Sequence, residues 1–519
     1  MSDGYDSIIV GAGHNGLVAA AYLARAGQRV LVLERRSFAG GAAVTEELFP
    51  GYAVSTCAYQ VHSLQGTVVD DLRLREHGYW PIRLDPGYFS PYPDGRHLIQ
   101  WRSVERMQAE IAAFSRRDAE RYPAWVAFWR RVGGLLGRFT LAEPPSVHEL
   151  EADARGTEDE EVVSRLLDWS VRGLLDEYFE SPEVQAALVP NSDIHSLDEP
   201  GEVLGWAMTA PNPGARAEDQ GLPLGGMSNL TAALLASARA SGVEIRLETA
   251  AERILLDDGR AIGVVLSDGS AIGSGTVISN ADPKRTFGSL LAPGDLPAGV
   301  RQSVESLDTE SGSLKFHAAV SQLPDFSAHL GVDHDPRILG LQRICPSLGY
   351  VERSLADANQ GRVTDHPILI VMIPTVYDPS VAPAGRHLVS VRVKFEPSRL
   401  HEGSWGAVRQ QVGEGVIDAL TEYAPNFRRS ILDWIVHTPD DLERRVGLTD
   451  GNIHHLNHSA GQALGDRLFQ GGGHRTPIGG LYMCGAGTHP GGEVTGAPGY
   501  NAARAVLADA RASSAVGPR

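Results

Sequence analysis

The sequence predicts an α/β chain: a discontinuous nucleotide-binding domain interrupted by an inserted α+β domain. Three observations carry this reading. A strand, a glycine turn, a helix and a second strand open the chain over residues 7–34. A strand, a long glycine-rich loop and a helix close it over residues 481–511. Between them, two stretches of different texture, 70–221 and 311–444, flank an ordered segment at 222–310. The expected division is 1–69, 222–310 and 445–519 for the nucleotide domain, with 70–221 and 311–444 forming the substrate, or cap, domain.

The opening unit follows from its residues. Ser7-Ile8-Ile9-Val10 and Arg29-Val30-Leu31-Val32-Leu33 are short apolar runs, the pattern of parallel strands buried on both faces. Residues 17–26 between them are small helix formers, and Gly27 can end that helix in the left-handed conformation. Residues 70–221 read as mostly helical. Within them Trp125, Phe128, Trp129 and Phe139 alternate with Arg121, Arg130, Arg131 and Arg138. The stretch 122–139 has two readings: a core-facing amphipathic helix with a solvated arginine face, or a lipid-contacting mouth that makes a peripheral membrane contact.

The segment from 222 to 287 predicts a helix at 230–240, a strand at 243–247, and a three-stranded meander through 253–256, 263–266 and 271–272. Asp258-Gly259 and Asp268-Gly269 between these runs are strong hairpin signals. A return strand follows at 276–279. Further strands are expected at 368–373, 387–393 and 481–484, and helices at 405–423 and 500–511.

Composition narrows the function. Forty-six basic against 64 acidic residues give a net charge of −18, which argues against nucleic-acid binding because that needs basic patches to displace counterions. It also argues against capture of the whole surface by anionic lipid. Hydrophobic residues make up 42%, enough for a sizeable core. There is no run of 18 apolar residues, so no membrane-spanning helix is expected, and the first residues lack the basic-then-apolar pattern of an export signal. Cys57, Cys345 and Cys484 are far apart. They suggest neither a disulfide framework nor a zinc site, but a reducing, cytoplasmic setting.

The motifs point to chemistry. Gly11-Ala12-Gly13-His14-Asn15-Gly16 is a G-x-G-x-x-G turn between strand and helix. Its glycines permit a tight turn, close approach to a pyrophosphate, and helix–strand packing. Glu34, at the end of the second strand and followed by Arg35, is placed to accept hydrogen bonds from an adenosine ribose. This pattern alone does not separate NAD from FAD. Gly40-Gly41-Ala42, six residues beyond Glu34, offers the second close backbone approach that an FAD lying across the sheet needs. Near the C-terminus Gly485-Ala486-Gly487-Thr488-His489-Pro490-Gly491-Gly492-Glu493-Val494-Thr495 is nearly free of bulky side chains. It leads into a helix whose N-terminus can stabilise negative charge on a reduced flavin ring.

These residues resemble the phytoene desaturase-like FAD oxidoreductases, in the branch with the carotenoid ketolases and pyridine nucleotide-disulphide oxidoreductase domain protein 2. The matching stretches are GAGHNGLVAAAYLARAG from Gly11, VLERR from Val32, PLGGMSNLTAAL from Pro223, ISNADPKRTF from Ile278, GNIHHLNHSAGQ from Gly451 and LYMCGAGTHPGGEVTGAPGYNAAR from Leu481. The resemblance implies a discontinuous Rossmann-type FAD-binding domain of the amine-oxidase and glutathione-reductase type with an inserted α+β substrate domain. It places the backbone at Ala251 against adenine, where the family usually has valine, and the substrate on the flavin.

The implied function is that of a FAD-dependent oxidoreductase (a desaturase, dehydrogenase or oxidase) that moves a hydride from an apolar or partly apolar small molecule to flavin N5. The alternative is a non-redox flavin-dependent isomerase or a flavin-stabilised scaffold. Only one complete dinucleotide fingerprint is present, so oxygen, a quinone or another carrier is expected to reoxidise the flavin. No covalent link is expected, because Cys484 falls on a strand. Two histidines are catalytic candidates. His489, inside the flavin loop, either holds that loop or does acid/base work. His62 follows a region that the resemblance places near the flavin. Glu493 is expected to orient backbone amides. His454, His455 and His458 have no carboxylate or cysteine placed to complete a metal site, so no metal is expected.

Overall fold

In the computed structural model, which describes residues 4–192, 194–210, 212–292, 294–469 and 473–516, Ser7–Val10 runs through the middle of a five-stranded sheet. The order is Leu481–Met483, Val277–Ser279, Ser7–Val10, Val30–Leu33, Glu244–Arg246, and every pair is parallel. The inner strands are continuous apolar runs because both of their faces are covered. Ile9, Val30 and Val32 pack under the helices His14–Arg25, Ser228–Ala240 and Ala497–Val516. Ile8, Val10, Leu31 and Leu33 pack on the other side against Ile254, Ala261 and Val264. Those three belong to the Asp-Gly meander of Ala251–Asp257, Arg260–Leu266 and Ala271–Gly273. The chain leaves this sheet after Leu33, returns at Glu244, leaves again after Ser279 and returns at Leu481, so the Rossmann-type domain is discontinuous.

A seven-stranded sheet fills the intervening segments, in the order Ile431–His437, Gly312–Val320, His387–Glu396, Ile368–Met372, Leu341–Ile344, Phe89–Pro91, His97–Ile99. One face is apolar. Leu314, Phe316, Leu369, Val371, Val389, Val391 and Val393 pack against Trp405, Val412, Val416 and Leu420 of the helix Trp405–Tyr423. The alternate residues of the same strands face the other way. A helical layer runs from Val104–Ala112 to Glu202–Thr209. Ser103, Ser115, Ser146, Ser170 and Ser181 start five of its helices by accepting a backbone N–H three residues on, each cap contributing about 1 kcal/mol.

The stretch 70–221 is mostly helical, as expected, and also holds the strands Phe89–Pro91 and His97–Ile99, which extend the edge of the seven-stranded sheet. Three-residue strands set among prolines and glycines carry no readable alternation. The closing helix starts at Ala497 rather than 500, because Pro498 is tolerated in a first turn. In Arg116–Gly137 the aromatic stretch is amphipathic: Trp125, Phe128, Val132, Leu135 and Leu136 are buried while Arg121, Arg130 and Arg131 are exposed. Among the described residues no helix is long and apolar enough to cross a membrane.

Candidate functional site

A cavity of about 1030 Å³ begins at the ends of the parallel strands, lined by Val10 and Leu33, and extends to the polar face of the seven-stranded sheet. At the first end the two glycine motifs meet. Gly40 N–H donates to Ala12 O at 2.8 Å. A Cβ on Gly41 would lie 3.0 Å from Gly13 Cα, and one on Gly13 would lie 2.6 Å from Asn280 Nδ2. The close backbone approach and the left-handed φ of 59° at Gly41 disfavour side chains there, so the wall is bare backbone. Glu34 ties this wall together: Oε2 accepts from Ala12 N–H at 2.9 Å and Oε1 from Arg36 N–H at 3.0 Å. A carboxylate has about four acceptor sites, so both oxygens keep capacity for a ligand.

Gly11, Gly13, His14 and Asn15 line the cavity, as do Glu34, Arg35, Gly41, Ala42 and Ala251. Gly16 lies behind it, pressed against Gly11 O, and Gly40 is pressed against Val44 and Thr231. His14 faces His455; burial, and then that neighbour, holds its pKa at about 4, so the ring is neutral near pH 7.

The C-terminal loop forms another wall through Ala486, Gly492, Glu493 and Val494. Gly485 and Gly487 stand behind it, against Asn280 O and the Pro283 ring. Thr495 Oγ1 accepts from Ala497 N–H at 3.1 Å and so caps the closing helix. Glu493 and Val494 are both left-handed, with φ of 69° and 56°. That conformation is costly for a β-branched residue, on the order of 1–3 kcal/mol, so surrounding contacts must hold it.

Glu493 supplies such contacts. Its Oε2 is 2.8 Å from His62 Nε2 and its Oε1 is 3.6 Å from His454 Nε2. Burial lowers the His62 pKa, but Glu493 more than offsets this, so the net shift is upward. Burial opposes ionisation of Glu493, yet His62 holds its carboxyl at about 2. The pair therefore favours imidazolium and carboxylate. Both residues line the cavity, and His62 Nδ1 has no hydrogen-bond partner among the described residues.

His489 sits elsewhere. Its Nε2–H donates to Phe139 O at 2.9 Å, and it lines a separate cavity of about 30 Å³ rather than the large one. Burial pushes its pKa down to about 3, so the ring is neutral near pH 7. The contact joins the C-terminal loop to the helical layer.

The far end of the cavity holds residues that the sequence reading did not single out. Lys315, Arg343 and Arg392 stand on the sheet wall, with Tyr59 and Tyr88 beside them and Trp125, Trp129 and Trp206 on the helical side. Lys315 Nζ lies 3.9 Å from the centroid of the Tyr59 ring. Arg343 donates to Val189 O and Asn191 Oδ1, both at 2.5 Å. The Trp129 and Trp206 ring centroids are 4.5 Å apart. One signal could have found Arg392: Val389-Ser390-Val391-Arg392-Val393-Lys394 alternates valine with polar residues inside a run that reads as a strand.

The family model for flavin containing amine oxidoreductases matches residues 16–430. The chain is 33% identical to pyridine nucleotide-disulfide oxidoreductase domain-containing protein 2 of Rattus norvegicus, over 97% of this chain and 94% of that protein. It is 29% identical to a limonene dehydrogenase polypeptide of Castellaniella defragrans, again over 97% of this chain and 94% of that one. Among solved structures, cyclohexylamine oxidase from Brevibacterium oxydans superposes with a TM-score of 0.60 at 15% identity, covering 98% of this chain and 100% of that one. That likeness shows the fold. The chain belongs to the flavin containing amine oxidoreductases and is a FAD-dependent oxidoreductase.

Proposed function

We propose that this flavoprotein oxidises an apolar or partly apolar organic molecule at the junction of the two ends of its large cavity. The observation that carries this reading is continuity: one cavity joins the bare glycine wall to the sheet and tryptophan walls. The first end fits FAD. Glu34 has acceptor capacity for ribose hydroxyls, the Gly13–Gly41 contact leaves room for a pyrophosphate against backbone, and Ala251 offers a backbone edge to adenine. The Glu493–Val494 turn and the N-terminus of Ala497–Val516 would face the ring. Bound there, FAD supplies a hydride acceptor.

The protein's own residues bind, orient and exclude water. Trp125, Trp129 and Trp206 offer an apolar wall that aligns a hydrocarbon or aromatic skeleton. His62, held in its charged form by Glu493 through Nε2, presents Nδ1–H to the substrate as a hydrogen-bond donor. A dehydrogenase or desaturase, rather than an oxidase of amines, is supported by the likeness to the limonene dehydrogenase polypeptide. A reducing, cytoplasmic setting is supported by three separate buried thiols. Anaerobic mixing with candidate substrates tests the reading. Loss of the oxidised-flavin absorbance band is expected. Turnover without bleaching, and only after prereduction, would instead indicate isomerisation.

A further inference from the structure

The cations at the far end of the cavity form a row set by strand register. Arg343 pairs with Ile370, Ile370 with Arg392, and Arg392 with Lys315. Paired positions on neighbouring strands share one face of the sheet, and all four residues line the cavity. Strand spacing puts Lys315 and Arg392 roughly 5 Å apart at the backbone and Arg343 about 10 Å beyond Arg392. The row ends at His437, paired with Lys315 on the next strand. Burial, then Arg445, brings that ring to about 4, which leaves it neutral near pH 7.

A row of cations facing an internal cavity is costly unless something answers the charge. Lys315 is 2% exposed and Arg343 4%. Lys315 Nζ and Arg343 Nε have no hydrogen-bond partner among the described residues. Neither of these two side chains forms a salt bridge with a described carboxylate; Arg392 differs, since its charge helps hold down the carboxyl of Glu493, which His62 and His454 also engage. Tyr59 covers Lys315 and Tyr88 lies 5.2 Å from the Arg343 guanidinium. These rings shield Lys315 and Arg343 laterally and supply no negative charge. Trp125, Trp129 and Trp206 of the helical layer line the same cavity.

We propose that the Arg343–Arg392–Lys315 row binds a carboxylate carried by the substrate, whose apolar part lies against Trp125, Trp129 and Trp206. The substrate class is an apolar organic acid. Two guanidinium groups and an ammonium across one wall answer a carboxylate by charge-assisted hydrogen bonds, and the same wall repels a protonated amine. This deepens the functional reading above and rests on it. Burial holds the Lys315 pKa at about 7, and an anion on the row would draw it up and keep the ammonium charged.

The test uses FAD-saturated protein and three probes with one skeleton: 4-phenylbutyrate, 4-phenylbutanol and 4-phenylbutylamine. Binding is read by calorimetry and by perturbation of the flavin spectrum. The acid is expected to bind at least about tenfold more tightly than the alcohol, and the amine most weakly. Lys315→Met is expected to bring the acid down to the affinity of the alcohol, and Arg343→Gln serves as the second variant if the first does not fold. An alcohol or amine that binds as tightly as the acid, an acid that does not bind, or folded variants that keep full acid affinity would overturn the proposal. Protein that holds FAD and shows no acid preference loses only this inference, whereas protein that takes up no FAD loses the functional reading as well.

Discussion

His62 Nε2 lies 2.8 Å from Glu493 Oε2, which joins the loop before the closing helix to the segment that follows the Thr45–Phe49 and Tyr52–Ser55 hairpin. Because Glu493 and Val494 are left-handed, this ion pair is a means by which a strained turn is held on the cavity wall. The turn is where the flavin ring is expected, so the pair couples folding to the shape of the site.

That coupling has a pH signature. The Glu493 pKa is depressed from 4.5 to about 2, so its contribution is complete above 4.5 and is lost as pH falls toward 2. The His62 pKa is raised from 6.5, so its contribution is complete below 6.5 and is lost as pH rises through the raised value. Wild type should therefore exceed Glu493→Gln in melting temperature most between about pH 4.5 and 6.5, with the gap narrowing above that range. Thermal scans at about pH 5.5 and about pH 9 check this. A gap that does not change with pH would contradict it.

Glu34→Ala should weaken FAD binding by about 1.5–3 kcal/mol, the scale for hydrogen bonds to a charged group. Two losses combine: the ribose acceptor, and the anchor that Ala12 N–H and Arg36 N–H give the glycine turn. Titration of apoprotein with FAD measures it. A folded variant with unchanged affinity would remove Glu34 from the site.

His489→Ala should lower FAD occupancy while leaving the reduction rate of each bound flavin within about threefold of wild type, against the 10²–10⁴-fold loss of a general acid or base. The reason is geometric: Nε2 is committed to Phe139 O and the ring lies off the large cavity. Any limb near pH 6.5 in the rate profile should survive the substitution, since His489 itself titrates near 3. Stopped-flow reduction normalised to bound flavin separates the outcomes, and normal occupancy with a collapsed rate would make His489 catalytic.

The legible parts of the fold are those with local causes. Ser7–Val10 and Val30–Leu33 read as buried parallel strands because both faces are apolar, and the meander is marked by its Asp-Gly turns. The helix Trp405–Tyr423 has the expected bounds, with Ser404 capping it. The hairpin of Phe89–Pro91 and His97–Ile99 carries an Asp94-Gly95 turn signal that the helical reading of 70–221 passes over, while its junction with Leu341–Ile344, far along the chain, is not legible. The same contrast divides the site. The glycine motifs answer a backbone requirement within a few residues, so they stand out in the sequence. The Arg343–Arg392–Lys315 row exists only through register among separate strands, and no one segment reveals it.

The cofactor site is tested most directly by acid precipitation of the purified yellow protein. Glu34, the glycine walls and the Glu493–Val494 turn offer hydrogen bonds and dipoles. Cys484, the cysteine closest to the flavin loop in sequence, is buried with its thiol pointed at Asn280 Oδ1. All flavin should therefore appear in the supernatant as intact FAD, one molecule per chain. Flavin retained in the pellet, or a protein that neither contains nor takes up FAD, would contradict the account.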